Sequence, residues 1–99
     1  MTVKIYIPEG QLHDFCRKHG IRRLAIFGSA LTDRFGPESD VDVLVEFHPD
    51  RTPGLIRLSG MEIELGKIIG RKVDLRTPAE LSRYFRDEVL QEAEVRYET

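Results

Sequence analysis

A single cysteine, Cys16, stands in a chain of 99 residues, so no internal disulfide can form and the core must close without one. No apolar run approaches the roughly 20 residues that a membrane span needs. Nor do the first residues resemble the apolar stretch of a signal peptide, so a cytoplasmic setting without membrane contact is expected. Charge of one sign is also lacking: 15 Lys and Arg against 17 Asp and Glu leave a net charge of -2. That balance gives no electrostatic reason for direct nucleic-acid binding. His13, His19 and His48 show no zinc-ligand spacing. There is no internal repeat and no low-complexity segment. A chain of this length has room for one core, so a single domain over residues 1–99 is expected, with no second catalytic domain.

What is present is a set of short apolar segments with clear punctuation. Residues 3–7 read as a short strand or an apolar lead-in, and Pro8 suits the first turn of a helix carrying Leu12, Phe15, Cys16 and His19, ended by Gly20. A strand follows over residues 23–27, then a loop over 33–39 containing Gly36-Pro37. Residues 39–47 alternate as a second strand, closed by an exposed turn over 48–54. Leu58, Met61, Leu65, Ile68 and Ile69 recur at helical spacing despite Gly60 and Gly66, and Gly70 ends that helix. Residues 71–76 give a third strand. Thr77, Pro78 and Glu80 make a capping-box pattern that predicts a helix, or a pair of short helices, with Leu81, Tyr84, Phe85, Val89 and Leu90 on its apolar side. The tail to Thr99 has no assignment. The fold class expected is α/β (α+β): a small mixed sheet of three or more strands flanked by helices.

The chemistry concentrates in two places. The apolar strand before Gly28-Ser29 breaks at glycine into what reads as a helix start, which would leave backbone N–H groups near Ser29 open to phosphate oxygens, with the Ser29 hydroxyl as a further donor. After ten intervening residues, Asp40 and Asp42 share one face of the second strand while Val41, Val43 and Val45 take the other. In the third strand Asp74 lies opposite in phase to Val73 and Leu75. Three aspartates on adjacent strands suit magnesium, an oxygen-seeking ion that shares its shell with substrate phosphates. With two ions, Asp40 and Asp42 would serve both, and Asp74 the one beside the nucleophile, where it could also accept the hydroxyl proton. Arg34 could reach a phosphate from the loop or stay solvated.

Each part alone has an ordinary explanation. An Asp-x-Asp pair can be a solvated strand end, Gly-Ser a turn, and Asp74 a partner of Arg71 or Arg76. Cys16 and His19 read as packing or capping groups, and Glu46, beyond Leu44 on the acidic face, as a solvent or edge residue. Joined in order, with the strand phase right for all three acids, they favour a nucleoside triphosphate and its metal ions.

These residues resemble the nucleotidyltransferase superfamily typified by DNA polymerase beta, whose pattern is Gly-Ser, a spacer, Asp-x-Asp and a later strand aspartate. Phe27-Gly28-Ser29, residues 39–47 and Lys72-Val73-Asp74-Leu75 carry the match, and the near-minimal length resembles the minimal nucleotidyltransferase (MNT) family. The resemblance implies a polymerase beta-like fold, catalytic and metal-binding roles for Asp40, Asp42 and Asp74, and nucleotide binding by Gly28, Ser29, Ser39 and Arg34. It further implies two Mg2+ ions, with Mn2+ as a substitute, and ATP as substrate. Family members of this kind are antitoxins paired with HEPN-domain ribonuclease toxins, so the expected activity is transfer of AMP to a tyrosine hydroxyl of such a toxin, within a hetero-oligomeric complex. Alternatives are a non-catalytic module that neutralises its partner by covering it, and nucleotidyl transfer to a small-molecule hydroxyl. Many relatives carry arginine three positions after the serine; here Thr32 stands there, with Arg34 two further on.

Overall fold

The computed structural model describes residues 5–31, 36, 39–84 and 86–99. Helix α1 spans Glu9–His19, with Pro8 at its N-cap position and the Leu12 N–H donating to the Pro8 carbonyl at 3.0 Å. It ends at Gly20, whose φ of 69° is the left-handed conformation that glycine adopts without steric penalty. Leu12, Phe15 and Cys16 form its buried stripe. Burial pushes the Cys16 thiol up to about 12, so this group is a packing residue with negligible thiolate at neutral pH. His19 stacks against Phe15 with ring centroids 4.8 Å apart, and its Nε2 lies 3.0 Å from Glu64 Oε1.

Strand β1 (Ile21–Phe27) is central. It pairs antiparallel with β2 (Val41–Phe47) on one side and with β4 (Glu94–Glu98) on the other. Helix α2 (Leu55–Ile69) is the crossover that brings β3 (Val73–Arg76) back parallel to β2, giving a four-stranded mixed sheet in the order β3-β2-β1-β4. Leu24, Ile26, Val41, Val43, Val45, Val73 and Leu75 bury one sheet face against α1 and against Met61 and Leu65 of α2. The alternation expected for β2 and β3 is therefore present, and it leaves Asp42 and Asp74 on the other face. None of the described helices is long and apolar enough to cross a membrane.

Two expectations change. The helix forecast from Thr77 is a single 3-10 turn, Pro78–Glu80, and α3 begins only at Arg86, running to Glu92. The reason is local. Thr77 Oγ1 donates to Glu80 Oε1 at 3.1 Å, so the two capping groups bond to each other and neither caps a backbone N–H, and Leu81 is extended at ψ 144°. Tyr84 is exposed, not part of an apolar side, and Phe85 lies outside the described residues. The second change is in the tail, which forms the edge strand β4, with His13 of α1 stacked edge-on against Tyr97 at 5.2 Å. For the lead-in, residues 5–8 carry no regular structure; residues 1–4 lie outside those described.

The two glycines inside α2 have opposite roles. A Cβ on Gly60 would meet nothing within 4 Å, whereas one on Gly66 would come within 2.9 Å of the Arg71 carbonyl oxygen. Gly60→Ala is therefore expected to stabilise the fold by about 0.5–1 kcal/mol through helix propensity alone. Gly66→Ala should destabilise it. Urea unfolding of the two variants beside the wild type measures both signs.

Candidate active site

β1 delivers the first component. Phe27 is the last residue of the strand and pairs with Asp42; the chain then leaves the sheet at Gly28, whose φ is 76°, into the 3-10 turn Gly28–Leu31. Gly28 is there for two reasons. Its backbone angle disfavours a side chain, and a Cβ would fall onto the Asp42 carboxylate, 3.0 Å from Cγ and 3.2 Å from Cβ. The glycine turn is thus packed directly against an acidic side chain of the neighbouring strand. The Ser29 backbone lies in this turn; its side chain, together with Thr32 and Arg34, lies outside the described residues.

β2 and β3 deliver the carboxylates. Asp42 and Asp74 are direct partners in the parallel register, so their side chains leave the same face of strands about 4.8 Å apart. Asp40 stands just before β2, two residues from Asp42, and the ladder begins directly after it with Val41 N–H donating to the Lys72 carbonyl at 2.9 Å. Its carboxylate lies 3.9 Å from Lys72 Nζ, and that of Asp74 lies 3.2 Å from the Arg76 guanidinium. Both pairs are solvent-exposed ones of small energetic weight. Of the two partners named for Asp74, Arg76 is the one found, as strand phase requires, since residues 74 and 76 share a face.

Glu46 lies at the far end of the same face, partly buried on an interior strand and ion-paired, 2.9 Å from Arg22 and 3.7 Å from Arg23. Ser39 does not face outward alone: its Oγ accepts the Gly36 N–H at 3.0 Å. The sequence reading missed Arg71, which donates to the carbonyls of Gly36 and Ser39, and Lys72 beside Asp40. The available signal was the pair of basic residues immediately before the third strand.

The donors gathered here are carboxylate oxygens, the class that magnesium and manganese take. Among the described residues no three His, Cys, Asp or Glu side chains close around one point as a self-sufficient metal centre. An open set of acids beside a glycine turn fits a hard cation that completes its shell with substrate phosphates, because Mg2+ is commonly held by one or two carboxylates plus such phosphates.

Known proteins share the sequence and the fold of this chain. The chain is 36% identical over 76 residues, 77% of its length and 80% of the relative's, to a candidate protein adenylyltransferase of Methanocaldococcus jannaschii. Its fold is similar to that of a crystallised toxin-antitoxin with AMP-PNP, with a TM-score of 0.74 at 19% identity, over 94% of this chain and 75% of that one. It is also similar to a chain in the complex of a tri-AMPylated Shewanella oneidensis HEPN toxin with an MNT antitoxin, with a TM-score of 0.66 at 18% identity, over 92% of this chain and 70% of that one. The family model of the nucleotidyltransferase domain matches residues 9–96. With that match spanning every element from α1 into β4, the chain belongs to the nucleotidyltransferase domain family, as a minimal member of the DNA polymerase beta superfamily.

Proposed function

We propose that this protein transfers AMP from ATP to a tyrosine hydroxyl of a HEPN-domain ribonuclease toxin and thereby neutralises it, acting as an MNT-type antitoxin in a cytoplasmic complex. The observation that carries the reading is the register of Asp42 against Asp74, with the Gly28 turn packed on Asp42. Support for the acceptor comes from the relatives, one named for protein adenylyl transfer and another solved beside an AMPylated HEPN toxin.

In this mechanism the Gly28 turn and Ser29 receive phosphate oxygens, with Ser39 and Arg34 completing the nucleotide contacts. Asp40, Asp42 and Asp74 would hold two Mg2+ ions, or Mn2+ in their place, which supply neutralisation of charge on the α-phosphate and on the leaving pyrophosphate. The tyrosine oxygen attacks the α-phosphorus, the bond to the β-phosphate oxygen breaks in line, and Asp74 takes the hydroxyl proton. All the residues assigned belong to β1, β2, β3 and the segments next to them, so the sheet orients Asp42 and Asp74, the segment leading into β2 carries Asp40, and the partner provides the acceptor.

The direct test is intact-mass measurement of the HEPN partner, taken as the product of the neighbouring gene, after incubation with this protein, ATP and magnesium. A gain of one or more AMP units is expected. A stable complex with no mass gain would replace this reading with steric neutralisation, and modification of an added small-molecule hydroxyl in place of the protein would redirect the substrate assignment.

A further inference from the structure

Asp42 and Asp74 are held by the sheet, but Asp40 is not. It stands outside β2, where no strand ladder fixes its own backbone. We propose that Arg71 is a positioning residue for Asp40, gripping the chain so that this carboxylate is held at the margin of the site beside Asp42 and Asp74. The proposal rests on the AMP-transfer reading for its kinetic test and on the geometry alone for its other tests.

The grip comes from both sides. Before Asp40, the Arg71 guanidinium donates to the Ser39 carbonyl at 2.7 Å; after it, Val41 N–H donates to the carbonyl of Lys72 at 2.9 Å. The adjacent residues 71 and 72 thus bracket Asp40. The same guanidinium donates to the Gly36 carbonyl at 2.5 Å, and residues 36 and 39 are tied to each other by Gly36 N–H to Ser39 Oγ at 3.0 Å and Ser39 N–H to the Gly36 carbonyl at 3.1 Å. Arg71 therefore fastens both Gly36 and Ser39, the latter immediately before Asp40, to the start of β3.

The anchor is itself fixed. Arg71 N–H donates to the Gly66 carbonyl at 3.1 Å, and the absence of a side chain at Gly66 lets the Arg71 backbone lie against α2. Arginine suits this task because one planar fork presents several N–H groups in fixed directions and can serve two carbonyls at once, which a lysine ammonium on a flexible stem does less well. The Lys72 ammonium, with a side chain 82% exposed and 3.9 Å from Asp40, is too well solvated to do the same work.

The experiment compares Arg71→Met and Arg71→Lys with the wild-type chain by three readouts. These are amide hydrogen exchange over residues 39–41, Mn2+ binding followed by electron paramagnetic resonance in the presence of AMP-PNP, and steady-state AMP transfer. In Arg71→Met, exchange at Val41 should accelerate, and Mn2+ affinity and kcat should each fall by about 10–100-fold, the usual loss when a group that orients a metal ligand is removed. KM for ATP should move less than kcat, and Arg71→Lys should recover part of the loss. Unchanged exchange together with unchanged Mn2+ affinity in Arg71→Met would overturn the proposal. Should Arg71→Met fail to fold, Arg71→Lys decides by the same readouts, since it keeps the charge but cannot span both carbonyls. A wild type that transfers no AMP defeats the functional reading alone; accelerated exchange and weakened Mn2+ binding in the variant still support the positioning role, and their absence sinks it.

Discussion

Asp42→Ala is expected to lower AMP transfer by about a thousandfold or more while leaving the protein folded. Losing a shared metal ligand forfeits several kcal/mol of transition-state charge stabilisation, and each 1.36 kcal/mol is about a factor of ten in rate. The fold has less to lose. Asp42 lies on the sheet face away from the α1–α2 core, directly beside Asp74 in the parallel register. Two carboxylates in neighbouring positions repel, so removing one relieves a like-charge contact. Far-UV circular dichroism and a urea midpoint close to wild type, alongside a rate at background, is the expected pair of results. Transfer retained at wild-type rate in this variant would remove Asp42 from the mechanism and with it the two-metal assignment. The alternative in which the protein merely covers its partner makes a different forecast, namely that Asp42→Ala neutralises the toxin as well as the parent does.

The acidic strand and its neighbour were legible because burial on one face imposes a period of two. Val41, Val43 and Val45 must point inward, so Asp42 cannot, and the same logic applied to Val73 and Leu75 sets Asp74. What the sequence concealed was set by partners rather than by period. β4 is five residues long, and Val95, on its exposed edge, is 38% accessible; its identity as a strand comes from pairing with β1, which no local pattern announces. The capping box was genuine in composition but spent on a side-chain pair, Thr77 with Glu80, instead of on backbone N–H groups. Arg71 was weighed as a partner of Asp74, although residues 71 and 74 differ in strand phase. Its carbonyl partners, Gly36 and Ser39, are 35 and 32 residues away in sequence and become neighbours only when β3 docks beside β2.

Gly28→Ala separates the two functions of that glycine. The left-handed φ of 76° alone costs a residue with a side chain about 1–2 kcal/mol. Added to this, the new methyl group would overlap the Asp42 carboxylate, sitting 3.0 Å from its Cγ. The overlap involves the end of a short side chain, so the strand can survive if Asp42 rotates away, and the rotation takes the carboxylate out of register with Asp74. Transfer should therefore fall by two orders of magnitude or more, about 3 kcal/mol at 1.36 kcal/mol per decade, well beyond the modest loss in the urea midpoint. The double variant Gly28→Ala with Asp42→Ala isolates the contact. With no carboxylate left to collide with, the combined stability loss should be smaller than the sum of the single losses, leaving the backbone cost alone. Strict additivity would mean that Gly28 acts only through its backbone angle, and that the close approach of the turn to Asp42 has no part in holding the acid in place.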